Sequence, residues 1–178
     1  MIYSIKSLIE FLRNPKADPL DPAPTVYERS WFDLIVTEFA FLTHHGFTIP
    51  PPTGYPDRGM GGGAEFRSTT TTVSVYVDRG DVSVEIGIND PIVIHRQKRS
   101  LWSILRAKGI DTAQVYTKHD PAENLDRWQL AEREIVESAR AMEAHCGDVL
   151  GGDFRIFPAA EEAAKQWYAS LNIKLPGQ

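Results

Sequence analysis

The stretch DRGMGGGAEF, Asp57 to Phe66, concentrates glycine at four of the five positions from Gly59 to Gly63. Backbone N–H groups without side chains around them can cradle a phosphate. A P-loop also needs a lysine followed by serine or threonine at the head of a helix. No such pair follows here, and the next residues carry strand character rather than helical character. A dinucleotide fingerprint fails on the same ground. The cluster reads instead as a flexible strand-to-strand loop, a kind of segment on which proteins often carry recognition.

The remaining reactive side chains are scattered. His44 and His45 are adjacent at a helix end, about 100° apart around its axis. Two helix-borne ligands for one metal stand four residues apart, on one face. His95, His119, His145 and Cys146 form no CxxC or HExxH pattern, so no metal site and no cofactor are expected. Cys146 ends an apolar stripe and reads as a small buried hydrophobe. No GxSxG elbow presents a serine. Arg79-Gly80-Asp81 spells an adhesion tripeptide, but a hairpin turn explains those residues. Glu38 sits within an apolar helix face, either as an acid with its pKa raised by burial or, the preferred reading, at the wet edge of that face. Tyr76, Glu85, Asp90 and His95 are the candidate lining of a small-ligand pocket on an open sheet face. With no complete catalytic motif, a non-enzymatic role is expected.

Charge offers a second line. The chain carries a formal net charge of −5, which disfavours binding to nucleic acid, because phosphate neutralisation needs clustered Lys and Arg. From Asp120 to Asp148 there are eight acidic and three basic residues. Such a helix is either a solvated face or a docking surface for a cationic protein, since opposite potentials steer encounter. Glu132, Glu134 and Glu137 are the candidate partner-binding residues. The basic residues Arg96, Lys98, Arg99 and Arg106 lie apart from them.

The elements that must hold these residues are legible in part. A chain of 178 residues fits one domain and buries roughly 70% of its unfolded surface without help from metals or disulfides. A single cysteine and an N-terminus unlike a signal peptide point to a reducing, cytoplasmic setting. No run is long and apolar enough to cross a membrane. Residues 4–13 read as a short helix, followed by a Pro-rich connector at 15–24. A long, greasy helix follows, starting at Trp31 with Ser30 as its cap or near Val26, and stopped at Gly46. Phe47 to Ile49 looks like a strand, and a Pro/Gly-rich loop spans 50–63. Strand character resumes near Ala64.

Val73, Val75 and Val77 share one face of a strand, as do Val82, Val84, Ile86 and Ile88 in the next. Asp78 to Asp81 forms the turn between them, an antiparallel hairpin. PIVIH, residues 91–95, either continues the second strand or adds another. Ser100 caps a short helix ending near Gly109, and AQVYT is loop or edge strand. Asp120, Pro121 and Glu123 suit the cap, N1 and N3 positions of a long helix. That helix would bury Leu125, Trp128, Ala131, Ile135, Ala139, Met142 and Cys146. A final helix from Pro158 would bury Ala160, Ala164, Trp167 and Leu171.

This order resembles a loose group of small, uncharacterised bacterial α+β proteins. The resemblance rests on three phrases: Phe41-Leu42-Thr43-His44-His45-Gly46-Phe47 ending a long helix, the valine hairpin from Thr71 to Ile88, and Leu150-Gly151-Gly152-Asp153 after a late helix. Some such proteins resemble immunity proteins encoded beside secreted or contact-dependent toxins, which implies a toxin-neutralising binding role. The expectation is therefore one α+β domain, residues 1–178, with an antiparallel sheet of about four strands packed on one face by long helices. Its core draws on Phe39, Leu42, Val75, Val77, Val84, Ile86, Trp128, Ile135 and Trp167. Three functions stand: a non-catalytic protein-binding domain, a small-ligand binder or enzyme on the open sheet face, and a structural homo-oligomer joined through a sheet edge.

Overall fold

Period-two alternation of valine and isoleucine with polar residues dictates the centre of the molecule. The computed structural model describes residues 30–51, 61–89, 97–115 and 125–171. Four strands form one sheet in the order of the chain: β1 (Gly62–Arg67), β2 (Thr71–Asp78), β3 (Asp81–Ile88) and β4 (Lys98–Ser100). Every neighbouring pair is antiparallel. The β2–β3 hairpin pairs Asp78 with Asp81, leaving Arg79 and Gly80 as a two-residue turn with φ of 51° and 86°. Positive φ at both positions is the twist that a tight hairpin requires, and glycine takes it without a Cβ penalty.

Helices cover one face of this sheet. They are α1 (Trp31–Glu38), α2 (Leu101–Ala107), α3 (Thr112–Val115), α4 (Arg127–His145), α5 (Gly147–Leu150) and α6 (Phe157–Ser170), with a 3-10 segment, Ala40–His45, after α1. Ser30 caps α1 by accepting from the Asp33 amide. Gly46 ends the following segment in the left-handed region. Against the valines pack Ile35 and Phe39 from the α1 region and Trp128 and Ile135 from α4. Trp31 and Trp128 meet at 5.9 Å between ring centroids, and Phe39 stacks on Phe66 of β1 at 6.1 Å. Thr71 donates towards the carbonyls of Val149 and Leu150, joining β2 to α5. Among the described residues no helix is long and apolar enough to cross a membrane.

Several expectations need correction. The long greasy helix is α-helical only to Glu38 and then tightens into the 3-10 segment. Thr48 makes a single bridge to Arg67 rather than a strand. Thr112–Val115 is one helical turn. The long helix starts at Arg127, not beside Asp120. Asp126 is its cap and completes a capping box with Gln129, an arrangement that satisfies two helix-end donors at once. Trp167 does not join the core: it is 37% exposed and leans on Trp102, while Leu171 is 47% exposed. Only the first turn of α6, at Phe157 and Ala160, is buried. The helix at 4–13, the connector at 15–24, PIVIH, and Asp90, Arg96, His95, His119, Asp120, Pro121 and Glu123 lie outside the described residues.

Candidate functional site

Two of the glycines that suggest a loop, Gly62 and Gly63, build a strand edge instead, while Gly59 lies outside the described residues. Gly62 and Gly63 belong to β1 and face opposite sides of the sheet. Gly62 lies over Trp31 of α1, where an added Cβ would sit 3.3 Å from the Trp31 Cβ. Gly63 lies under Tyr76, its cross-strand partner. A Cβ at Gly63 would collide with the Tyr76 ring and stand 2.5 Å from the Val75 carbonyl oxygen. The two positions are therefore seats for aromatic rings, and only glycine fits the second.

Among the described residues β1 is also the end strand of the sheet. Its outer edge is met at Arg67, whose carbonyl accepts from the Thr48 amide at 2.9 Å. Backbone groups alternate between the two sides of an antiparallel strand. Glu65 and Gly63, two and four residues back from Arg67, therefore present their N–H and C=O groups to the same outer side. Among the described residues no backbone group pairs with them there. Beside this edge the chain from Thr48 to Pro51 diverges and leaves a cleft of about 870 Å³. Phe32, Ile49, Pro50, Pro51 and Tyr76 give it apolar walls, and Asp78 stands at its far end. Ile49 and Tyr76 are 54% and 44% exposed, large apolar surfaces left in water.

The floor on the open face is polar and charge-balanced. Arg67 donates to Glu65 Oε1 from Nε at 2.8 Å and from Nη2 at 2.6 Å. Lys98 Nζ donates to Glu65 Oε2 at 3.2 Å and to Ser74 Oγ at 2.7 Å. Ser74 in turn donates to Glu65 Oε2 at 3.0 Å. Burial raises the Glu65 pKa, but hydrogen bonds from Arg67, Lys98 and Ser74 outweigh it and hold the carboxyl below its usual range. The Lys98 stem reaches this network by lying over Gly87, where a side chain would block it. Ser74 is fully buried, and its hydroxyl is engaged on both sides. That geometry is a clamp between strands; an attacking serine needs access to its substrate.

The candidate residues from the sequence are divided between this region and others. Tyr76 lines the cleft; Glu85 is half-buried on the same open face, opposite Ser74 in the register, but does not line it. Asp90 and His95 lie outside the described residues. Glu132 and Glu137 are half-buried on α4, and Glu134 is exposed. Although the residue as a whole is exposed, its carboxyl is partly shielded from water, and this, with the carboxylates of Asp81 and Glu137 nearby, pushes Glu134 up to about 6. The acidic helix thus approaches the hairpin turn that carries Asp78 and Asp81. Glu38 is half-buried, at the edge of its face. Cys146 is fully buried, and burial pushes its thiol up to about 12, with Lys108 pulling it down and Asp148 raising it.

Glu65, Arg67, Ser74 and Lys98 are not singled out by sequence reasoning. The alternation Ala64-Glu65-Phe66-Arg67 does place both charges on the side away from the core. Lys98 cannot be found that way, because its position depends on β4 pairing with β3 through only three residues. Comparison with protein-family models, curated proteins and solved structures finds no match to this chain.

Proposed function

We propose that the chain is a non-catalytic protein-binding domain that receives an extended segment of its partner alongside β1. The observation that carries this reading is the outward-facing backbone of Gly63 and Glu65 beside an apolar cleft. An exposed strand edge is a template for another chain, and soluble proteins usually blunt it. Here Gly63 carries no side chain, and the Glu65 side chain is held on the sheet face by Arg67, Lys98 and Ser74. An added strand gains main-chain hydrogen bonds from the edge and side-chain contacts from the walls. A toxin-neutralising immunity role is the narrower form of the proposal, in which the segment belongs to a toxin.

Capture of partners from native lysate by the full chain, beside an Ile49→Asp/Tyr76→Glu variant, tests the site. Both positions are exposed, so the variant keeps its fold, as far-UV circular dichroism would report. A partner identified by mass spectrometry should be retained by the wild type and lost by the variant. Equal retention would remove the cleft from the account. The small-ligand or enzymatic alternative has one observation in its favour, a cleft volume within the range of small-molecule sites. A homo-oligomer would use the same edge, and sedimentation velocity across concentrations distinguishes it.

A further inference from the structure

The cleft is electrically lopsided along β1. At the Arg67 end, the Glu65 carboxylate is satisfied by Arg67, Lys98 and Ser74. At the Gly61 end stands Asp78, which lines the cleft and has no salt-bridge partner among the described residues. Directly across the hairpin is Asp81, and like charges placed opposite one another in a sheet repel. Asp81 also acts on Glu134, as does Glu137, across the gap to α4. Two cations belong to the same corner: Arg79 in the turn, and Arg127, whose stem packs beside Gly80 and whose guanidinium lies over Trp128 at 4.6 Å. Among the described residues that line this end of the cleft Asp78 is the charged one, which makes the end negative.

Resting on the strand-addition reading above, we infer that the occupant is an extended apolar segment of a partner protein bearing Lys or Arg at the end that lies beside Asp78. The apolar residues match Phe32, Ile49 and the two prolines, and the cation relieves the repulsion between Asp78 and Asp81. All neighbouring strands of the sheet are antiparallel, and antiparallel pairing is slightly the more stable per residue. Added in that sense, the partner strand ends where β1 begins. Its basic residues therefore follow its apolar stretch in sequence. This joins the acidic helix to the cleft as one surface: the helix supplies long-range attraction and the β1 edge supplies the contact.

A random dodecapeptide library displayed on phage, selected against the full chain, supplies the probes. Enriched peptides are then synthesised and titrated into isotope-labelled protein. The expected result has three parts. Enriched sequences carry an apolar stretch followed by Lys or Arg. The amide signals of Gly63 and Glu65 shift on titration. Asp78→Lys, an exposed substitution, weakens binding by roughly fivefold or more. If peptides shift those amides but lack basic residues, and Asp78→Lys binds them as tightly, the charge inference is overturned while strand addition stands. If no enriched peptide moves the β1 amides, both are overturned.

Discussion

The two faces of the sheet are made from the same strands by different physics. On one face Val73, Val75, Val77, Val84 and Ile86 are buried beneath α1 and α4, with no charged side chain among the described residues that are buried. Its stability comes from apolar area and close packing. On the other face Ser74 is equally buried, and among the described residues its hydroxyl is held by Lys98 and Glu65, with Arg67 bound to Glu65 in turn. Order there comes from donors and acceptors that satisfy one another. The first arrangement tolerates exchange among residues of similar volume. The second fixes individual residues, and it borders the edge and cleft proposed for recognition.

The largest effect that would sharpen this contrast is a matched truncation. Phe39→Ala, on the covered side, should cost about 3–5 kcal/mol in urea denaturation. Tyr76→Ala, an aromatic truncation on the open side, should cost less than about 1 kcal/mol, because the ring is already partly in water. Equal losses would mean that the open face is core in disguise.

The clamp comes next. Lys98→Met should cost about 1–3 kcal/mol at neutral pH, because it leaves Glu65 and Ser74 short of a charged donor. Combined with Glu65→Gln, the loss should be smaller than the sum of the two single losses; strict additivity would show that the contacts are incidental. The pH dependence has a definite sign. The folded pKa of Glu65 lies below its ordinary 4.5, so its contribution is fully present above about pH 4.5 and is lost as pH falls through the lowered value. Glu65→Gln should therefore flatten the acid limb of the stability curve.

The smallest effect concerns the acidic corner that links the hairpin to α4. Glu134 is raised from 4.5 to about 6. The folded chain thus keeps a proton that the unfolded chain has released, and stability falls as pH rises across that window. Glu134→Gln should raise stability above about pH 6 by less than about 1 kcal/mol, given solvent screening, and should change nothing below about pH 4. A gain independent of pH would point to packing rather than to charge.

How far the sequence anticipates these regions follows the same division. The valine hairpin is legible because alternation and turn chemistry agree, and its register places Val75 opposite Val84 as a period of two demands. The buried stripe of α4 is legible for a similar reason, but its start is not. Asp120 with Pro121 and Asp126 with Gln129 both suit a cap, and the choice is made by the fold. Trp167 falls outside the expected core because helical spacing says which residues share a face, not whether another element covers it. The recognition edge is hidden differently. Glycine spacing alone does not separate slack chain from a strand whose missing side chains make room for Tyr76 and Trp31. Lys98 reaches Ser74 only through tertiary pairing.

Amide hydrogen exchange along β1 tests the central claim most directly. In the free chain, the amides of Ala64 and Phe66, directed at β2, should exchange slowly, while those of Gly63 and Glu65 should exchange quickly. Addition of a selected peptide should then slow Gly63 and Glu65 alone within the strand. If Gly63 and Glu65 are already as protected as their neighbours in the free chain, the edge is occupied from within, and the strand-addition account is contradicted.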